Sequence, residues 1–198
     1  MPFSVDMSVP KSLKANAFVL RPITAADAAL DHAAVMESRE YLRSWEQSTW
    51  PEDDFTVAAN RADLAKLEKW NAEHMAFTYT VLDPTESECR GCVYIFPTNA
   101  SMFQKAQIAP VDGSEWDEYE ATVYFWVRKS EMEGGKDAVL LETLRHWIRR
   151  DWDLSRPLFV TNEQFEQQVR LLDSTDLRLR FTIDEPGKPG TYLAYGPA

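Results

Sequence analysis

The chain has 198 residues, 44% of them hydrophobic, which is enough for one domain of ordinary size with a substantial core. Its 32 acidic and 21 basic residues give a net charge of −11, a field that repels nucleic acid and anionic membranes and modestly favours cationic small molecules or basic peptides. Solubility alone is the plainer reading of that acidity. No apolar run reaches the roughly 20 residues of a membrane helix, and none has signal-peptide length, so a soluble, cytoplasmic protein is expected.

Residues 1–16 read as an N-terminal arm and residues 17–198 as a single domain without an internal linker. Residues 18–23 are strand-like. Thr24 with Asp27 three residues later resembles a capping box, with Asp in the usual Glu position. The helix that follows carries an apolar stripe from Leu30 through Ala33, Ala34, Val35 and Met36, extended by Tyr41, Leu42 and Trp45, until Pro51 breaks the pattern. A second helix puts Leu64, Leu67 and Trp70 on one side, with Arg61, Lys66, Glu68 and Lys69 exposed. Residues 76–82 form a strand, Asp83-Pro84 a turn, and residues 92–96 the returning strand.

Cys89 and Cys92 make a lone C-x-x-C. A structural zinc needs four ligands and there is no second pair, while a thioredoxin-like pair opens a helix rather than a strand; two reduced thiols at a hairpin turn are expected. Residues 97–117 lack periodicity, the mark of a functional or mobile connection, and lead into an acidic cluster of Asp112, Glu115, Asp117, Glu118 and Glu120.

Residues 120–128 are continuously apolar, as in a central strand buried on both faces. Glu133-Gly134-Gly135-Lys136 then form a turn into a helix whose apolar face is Leu140, Leu141, Leu144, Trp147 and Ile148. A strand, a glycine turn and a helix in that order aim backbone N–H groups and a helix N-terminus at one spot, the physical basis of a phosphate site that needs no metal. A strand at 157–160, a helix at 163–172, a strand at 177–183, a turn at 186–190 and a strand at 192–195 complete the chain. The order β-α-α-β-β-β-α-β-α-β-β predicts one α/β (α+β) domain around a mixed sheet.

That order, with Phe18-Val19-Leu20-Arg21-Pro22, Ala121-Thr122-Val123-Tyr124-Phe125-Trp126-Val127 and Val160-Thr161-Asn162, resembles the GNAT superfamily of acyl-CoA-dependent N-acetyltransferases, in particular its ribosomal-protein alanine acetyltransferase branch. The resemblance spans residues 17–195. It implies a mostly antiparallel sheet with splayed central strands, acetyl-CoA as cosubstrate and no metal. Pantetheine would lie against Phe125, Trp126 and Val127, and pyrophosphate on Glu133, Gly134, Gly135 and Lys136, with Arg128 and Asn162 alongside. The chain departs from the family loop: its positions fall on Met132, Gly135 and Asp137, and only Gly135 matches. Glu131 and Glu133 add negative charge there, with Lys129, Lys136 and Arg128 in partial compensation. The helix after Asn162 lacks the Tyr that many members use as a general acid. Tyr192, Tyr195 or solvent are the alternatives, and none is assigned.

Amine acetylation needs a group or a water chain to take a proton. Glu120, on the same strand face as Thr122 and Tyr124, is the candidate general base, against the plain reading of a solvated strand-end carboxylate. His32, His74 and His146 lack partners at motif spacing, so neither a catalytic triad nor a metal site gains support. In this family the segment carrying Trp45 and Trp50, beside Tyr41, Glu46, Glu52, Asp53 and Asp54, borders the acceptor pocket; with Tyr124 these aromatics suit an amine through cation–π and charge pairing, or else are core residues with an acidic rim. Two functions follow. One is acetyl transfer to a primary amine on a small molecule or a protein N-terminus, with no nucleic-acid or membrane partner and a homodimer compatible with it. The other is a non-catalytic ligand- or partner-binding module on the same fold with an eroded CoA site.

Overall fold

The computed structural model describes residues 3–152 and 154–198. In chain order these form β1 (Leu13–Lys14), β2 (Val19–Pro22), α1 (Ala28–Glu37), α2 (Arg39–Glu46), α3 (Val57–Ala72), β3 (Phe77–Leu82), β4 (Cys89–Pro97), β5 (Gln107–Pro110), β6 (Ala121–Val127), α4 (Lys129–Glu133), α5 (Lys136–Asp151), β7 (Pro157–Asn162), α6 (Glu166–Asp173), β8 (Arg178–Asp184) and β9 (Tyr192–Gly196). One sheet runs β1-β2-β3-β4-β6-β7-β9-β8-β5, antiparallel throughout except between β6 and β7.

Alternation along β6 divides the core. Val123, Phe125 and Val127 pack with Leu140, Leu141, Leu144, Trp147 and Ile148 of α5, while Tyr124 and Trp126 face α1, α2 and α3. A strand covered by helices on both sides has no solvent face, which is why its sequence reads as unbroken apolarity. Thr24 and Asp27 form the expected capping box, and Asp27 also takes a bidentate pair from Arg21.

The N-terminal arm packs on the domain: Phe3 stacks on Phe77 at 5.0 Å, Tyr79 donates to the Pro10 carbonyl, and Leu13 and Lys14 extend the sheet edge. Three features differ from the sequence reading. The first long helix breaks at Ser38, whose hydroxyl accepts the Lys129 N–H at 3.0 Å. The aperiodic stretch supplies β5, which pairs with β8 at the far edge. Cys89 and Cys92 lie inside β4 rather than at a turn, both free and buried. The turn at 83–88 is instead organised by Asp83, whose carboxylate accepts the N–H groups of Thr85, Ser87 and Glu88.

Beside the thiols, Asp31 is fully enclosed, its carboxylate accepting from Asn60 Nδ2 at 2.9 Å. Burial, with a smaller contribution from Asp27, pushes its pKa up to about 6. The folded state therefore binds this proton more tightly than the unfolded chain. Stability from this group is full below the ordinary carboxylate pKa and is lost as pH rises through 6, at a cost on the order of 3 kcal/mol. Asp31→Asn should raise the melting temperature at pH 7.5 and change it much less at pH 4.5; equal shifts at both pH values would refute the assignment.

A candidate ligand cavity beside a closed cleft

A cavity of about 300 Å³ opens on the face covered by α2 and α3. Trp45 and Glu46 come from the C-terminal end of α2, Trp50 from the loop after it, and Tyr94 and Phe96 from β4. Tyr124 of β6, Thr161 and Asn162 of β7 and Tyr192 of β9 form the floor, and the β8–β9 turn contributes Glu185 and Lys188. The aromatics hold one another: Trp45 lies 6.1 Å from Tyr94, and Tyr124 meets Phe96 and Tyr192 edge-on at 6.0 and 6.2 Å.

The polar rim is unevenly paired. Lys188 donates from Nζ to the Glu46 carboxylate at 2.9 Å and to the Glu46 backbone carbonyl. Glu185 accepts no side-chain hydrogen bond among the described residues; burial raises its pKa most, the Glu46 charge adds to that, and Lys188 opposes it.

Next to the cavity the two central strands part. β6 and β7 pair in parallel only from Ala121 with Pro157 to Val123 with Phe159. Beyond that, Gln168 Nε2 of α6 donates to the Phe125 carbonyl at 3.0 Å, and the Tyr41 hydroxyl of α2 donates to the Val127 carbonyl. Tyr41 stacks on Phe165 at 5.6 Å, only 8° from parallel, across the opening. The turn after β6 is equally committed. Residues 129–133 coil into α4, the Lys129 N–H goes to Ser38, and Ser130 donates to Glu37. At the first turn of α5, Asp137 accepts from the Ala138 N–H at 2.9 Å and from Gln167 Nε2 at 2.9 Å.

An acyl-CoA would have to displace contacts made in this arrangement. The two carbonyls facing a pantetheine arm already have donors, and a carboxylate occupies the helix tip a pyrophosphate needs.

The residues named from sequence fall in three places. Trp45, Trp50 and Tyr124 come together in the cavity wall. Phe125 and Val127 line the closed cleft, while Trp126 is turned into the core and Arg128 pairs with Glu37 at 2.9 Å. Glu133, Gly134, Gly135 and Lys136 are exposed, with Gly135 at φ 71° between α4 and α5. Asn162 is a clamp: its Nδ2 donates to the Ser44 and Trp45 carbonyls at 2.8 and 2.7 Å, and its Oδ1 accepts from the N–H groups of Gln164 and Phe165. Glu120 lies outside the cavity wall, exposed at the start of β6, where its carboxylate accepts from the Ser155 hydroxyl and from the Arg156 N–H at 2.7 Å. Glu120 precedes β6 rather than lying in it, and its side chain turns to the nearest donors. Glu185, Lys188, Tyr94 and Gln168 were not singled out from sequence; Lys188, Tyr94 and Gln168 sit far along the chain from their side-chain partners, and no local pattern marks any of the four.

This arrangement of strands is the fold of the GNAT N-acetyltransferases. It resembles RimJ of Mycobacterium smegmatis, solved in complex with CoA-disulfide (TM-score 0.72, 15% identity, 96% of this chain and 88% of that one), and a ribosomal-protein alanine acetyltransferase from Vibrio fischeri (0.68, 16%, 93% and 94%). It also resembles a ribosomal α-N-protein acetyltransferase, RimL, solved with coenzyme A (0.65, 14%, 96% and 97%). At such identities the likeness establishes the fold. No protein-family model and no curated protein matches the chain.

If Asn162 is a clamp, Asn162→Ala strips donors from the end of α2 and should cost at least about 2 kcal/mol in urea unfolding; a loss below about 0.5 kcal/mol would remove that role.

Proposed function

We propose that this protein binds an amine-bearing ligand, a small molecule or a peptide end, in the aromatic cavity, on a GNAT scaffold whose cofactor cleft is filled by its own side chains. Glu185 carries the reading. It is a half-buried carboxylate on an aromatic-walled cavity with no hydrogen-bond donor among the described residues, and its raised pKa reflects lost hydration that an ammonium would replace. Trp45, Trp50 and Tyr94 line the same cavity, and aromatic rings attract a cation. The charge of −11 favours approach of such a ligand. Phenethylamine, measured by calorimetry, should bind the wild type and lose at least tenfold in affinity with Glu185→Gln. Equal affinity for both proteins would refute the role of Glu185.

The second reading is acetyl-CoA-dependent N-acetylation of the same amine. It is supported by the parting of β6 and β7 beside the cavity floor and by the shared fold. It requires Tyr41, Gln168 and Asp137 to give up the contacts described above. A ligand that binds only the native state raises its melting temperature. On the binding-protein reading, acetyl-CoA up to several millimolar leaves that temperature unchanged; a rise at sub-millimolar acetyl-CoA would overturn it in favour of transfer.

A further inference from the structure

Resting on the amine-binding reading of the cavity, we infer that Lys188 is a specificity-determining residue: by neutralising Glu46 it leaves Glu185 as the single open carboxylate and restricts the site to monoamines. The Glu46 position is itself a strong cation seat. Glu46 is the last residue of α2, so its carbonyl belongs to the negative end of the helix, and its carboxylate faces the same point. Lys188 fills that seat with one ammonium, its side chain only 19% exposed.

The backbone of the turn holds Lys188 there. The Gly190 N–H donates to Gln47 Oε1, Thr191 donates from its hydroxyl to Asp184 at 2.7 Å, and the Thr191 N–H donates to Glu163 at 3.0 Å. Gly190 packs so closely that a Cβ would lie 2.7 Å from Gln164 and 2.9 Å from Gln47. The lysine is therefore delivered by an anchored turn rather than by a free loop. Glu46 and Glu185 together carry two negative charges and Lys188 one positive, leaving a net of minus one in the wall. One ligand ammonium balances it; a second would meet the Lys188 ammonium. Without Lys188, the Glu46 seat opens and the wall suits a diamine.

Calorimetry on wild type, Lys188→Met and the double variant Lys188→Met/Glu46→Gln, with n-butylamine, phenethylamine and diaminoalkanes of three to six carbons, tests this. The wild type should bind no diamine more than about threefold more tightly than n-butylamine. Lys188→Met should bind at least one diamine tenfold or more tightly than n-butylamine, and the double variant should lose that gain. A tenfold diamine preference already present in the wild type overturns the inference, and that comparison stands even if the variants fail to fold. A folded Lys188→Met that binds phenethylamine but gains no diamine preference also overturns it. If the wild type binds no amine at all, the reading of the cavity itself fails.

Discussion

Two parallel strands that separate in mid-sheet strip backbone groups of their partners, and a buried carbonyl left unpaired costs about as much as a lost hydrogen bond. How this chain satisfies those groups governs the rest of the molecule. Gln168 and Tyr41 reach in from opposite helices to the Phe125 and Val127 carbonyls, and Tyr41 and Phe165 close the opening with stacked rings. The donors are covalently part of the fold, so these two carbonyls are paired without a ligand. The arrangement is not perfectly matched: the Gln168 Oε1 atom, buried with its amide, has no partner of its own.

The same economy appears at the end of α2. The last carbonyls of a helix have no intrahelical donors, and here Asn162 takes those of Ser44 and Trp45 while Lys188 and Tyr192 take that of Glu46. These contacts tie α2 to β7, to β9 and to the β8–β9 turn. They bring Trp45 and Glu46 to a cavity whose other walls come from β4, β6 and β9. The cavity is in this sense a by-product of capping a helix against a sheet.

Much of the fold was legible because its signals are local. The continuous apolarity of β6, the Thr24–Asp27 box and the apolar face of α5 each follow from short-range periodicity or spacing. The break at Ser38 was not legible, since nothing in Glu37-Ser38-Arg39 contradicts a helix and the hydroxyl contact to Lys129 that accompanies the break lies far along the chain. Nor was α4. The turn was expected at Glu133–Lys136 and no element was expected before it, but Lys129–Glu133 are mostly good helix formers and local propensity gives them a short helix. At the site, the aromatic wall was foreshadowed by Trp45 and Trp50, whereas the charges that give it sign, Glu185 and Lys188, belong to a turn whose sequence announces only a change of direction.

The closed cleft and the cavity are also mechanically linked. Tyr41 and Trp45 are four residues apart on α2 and so lie on one face of it, one aimed at the Val127 carbonyl and the other into the cavity. Withdrawing Tyr41 from the cleft by turning or sliding α2 would carry Trp45 and Glu46 with it and break the Asn162 and Lys188 contacts. Opening the cleft at full cost to the cavity is a different physical situation from a scaffold with two independent subsites. Interiors are packed too densely to absorb such a shift in one place only. A movement of α2 that freed the Val127 carbonyl would therefore reshape the aromatic cavity in the same step.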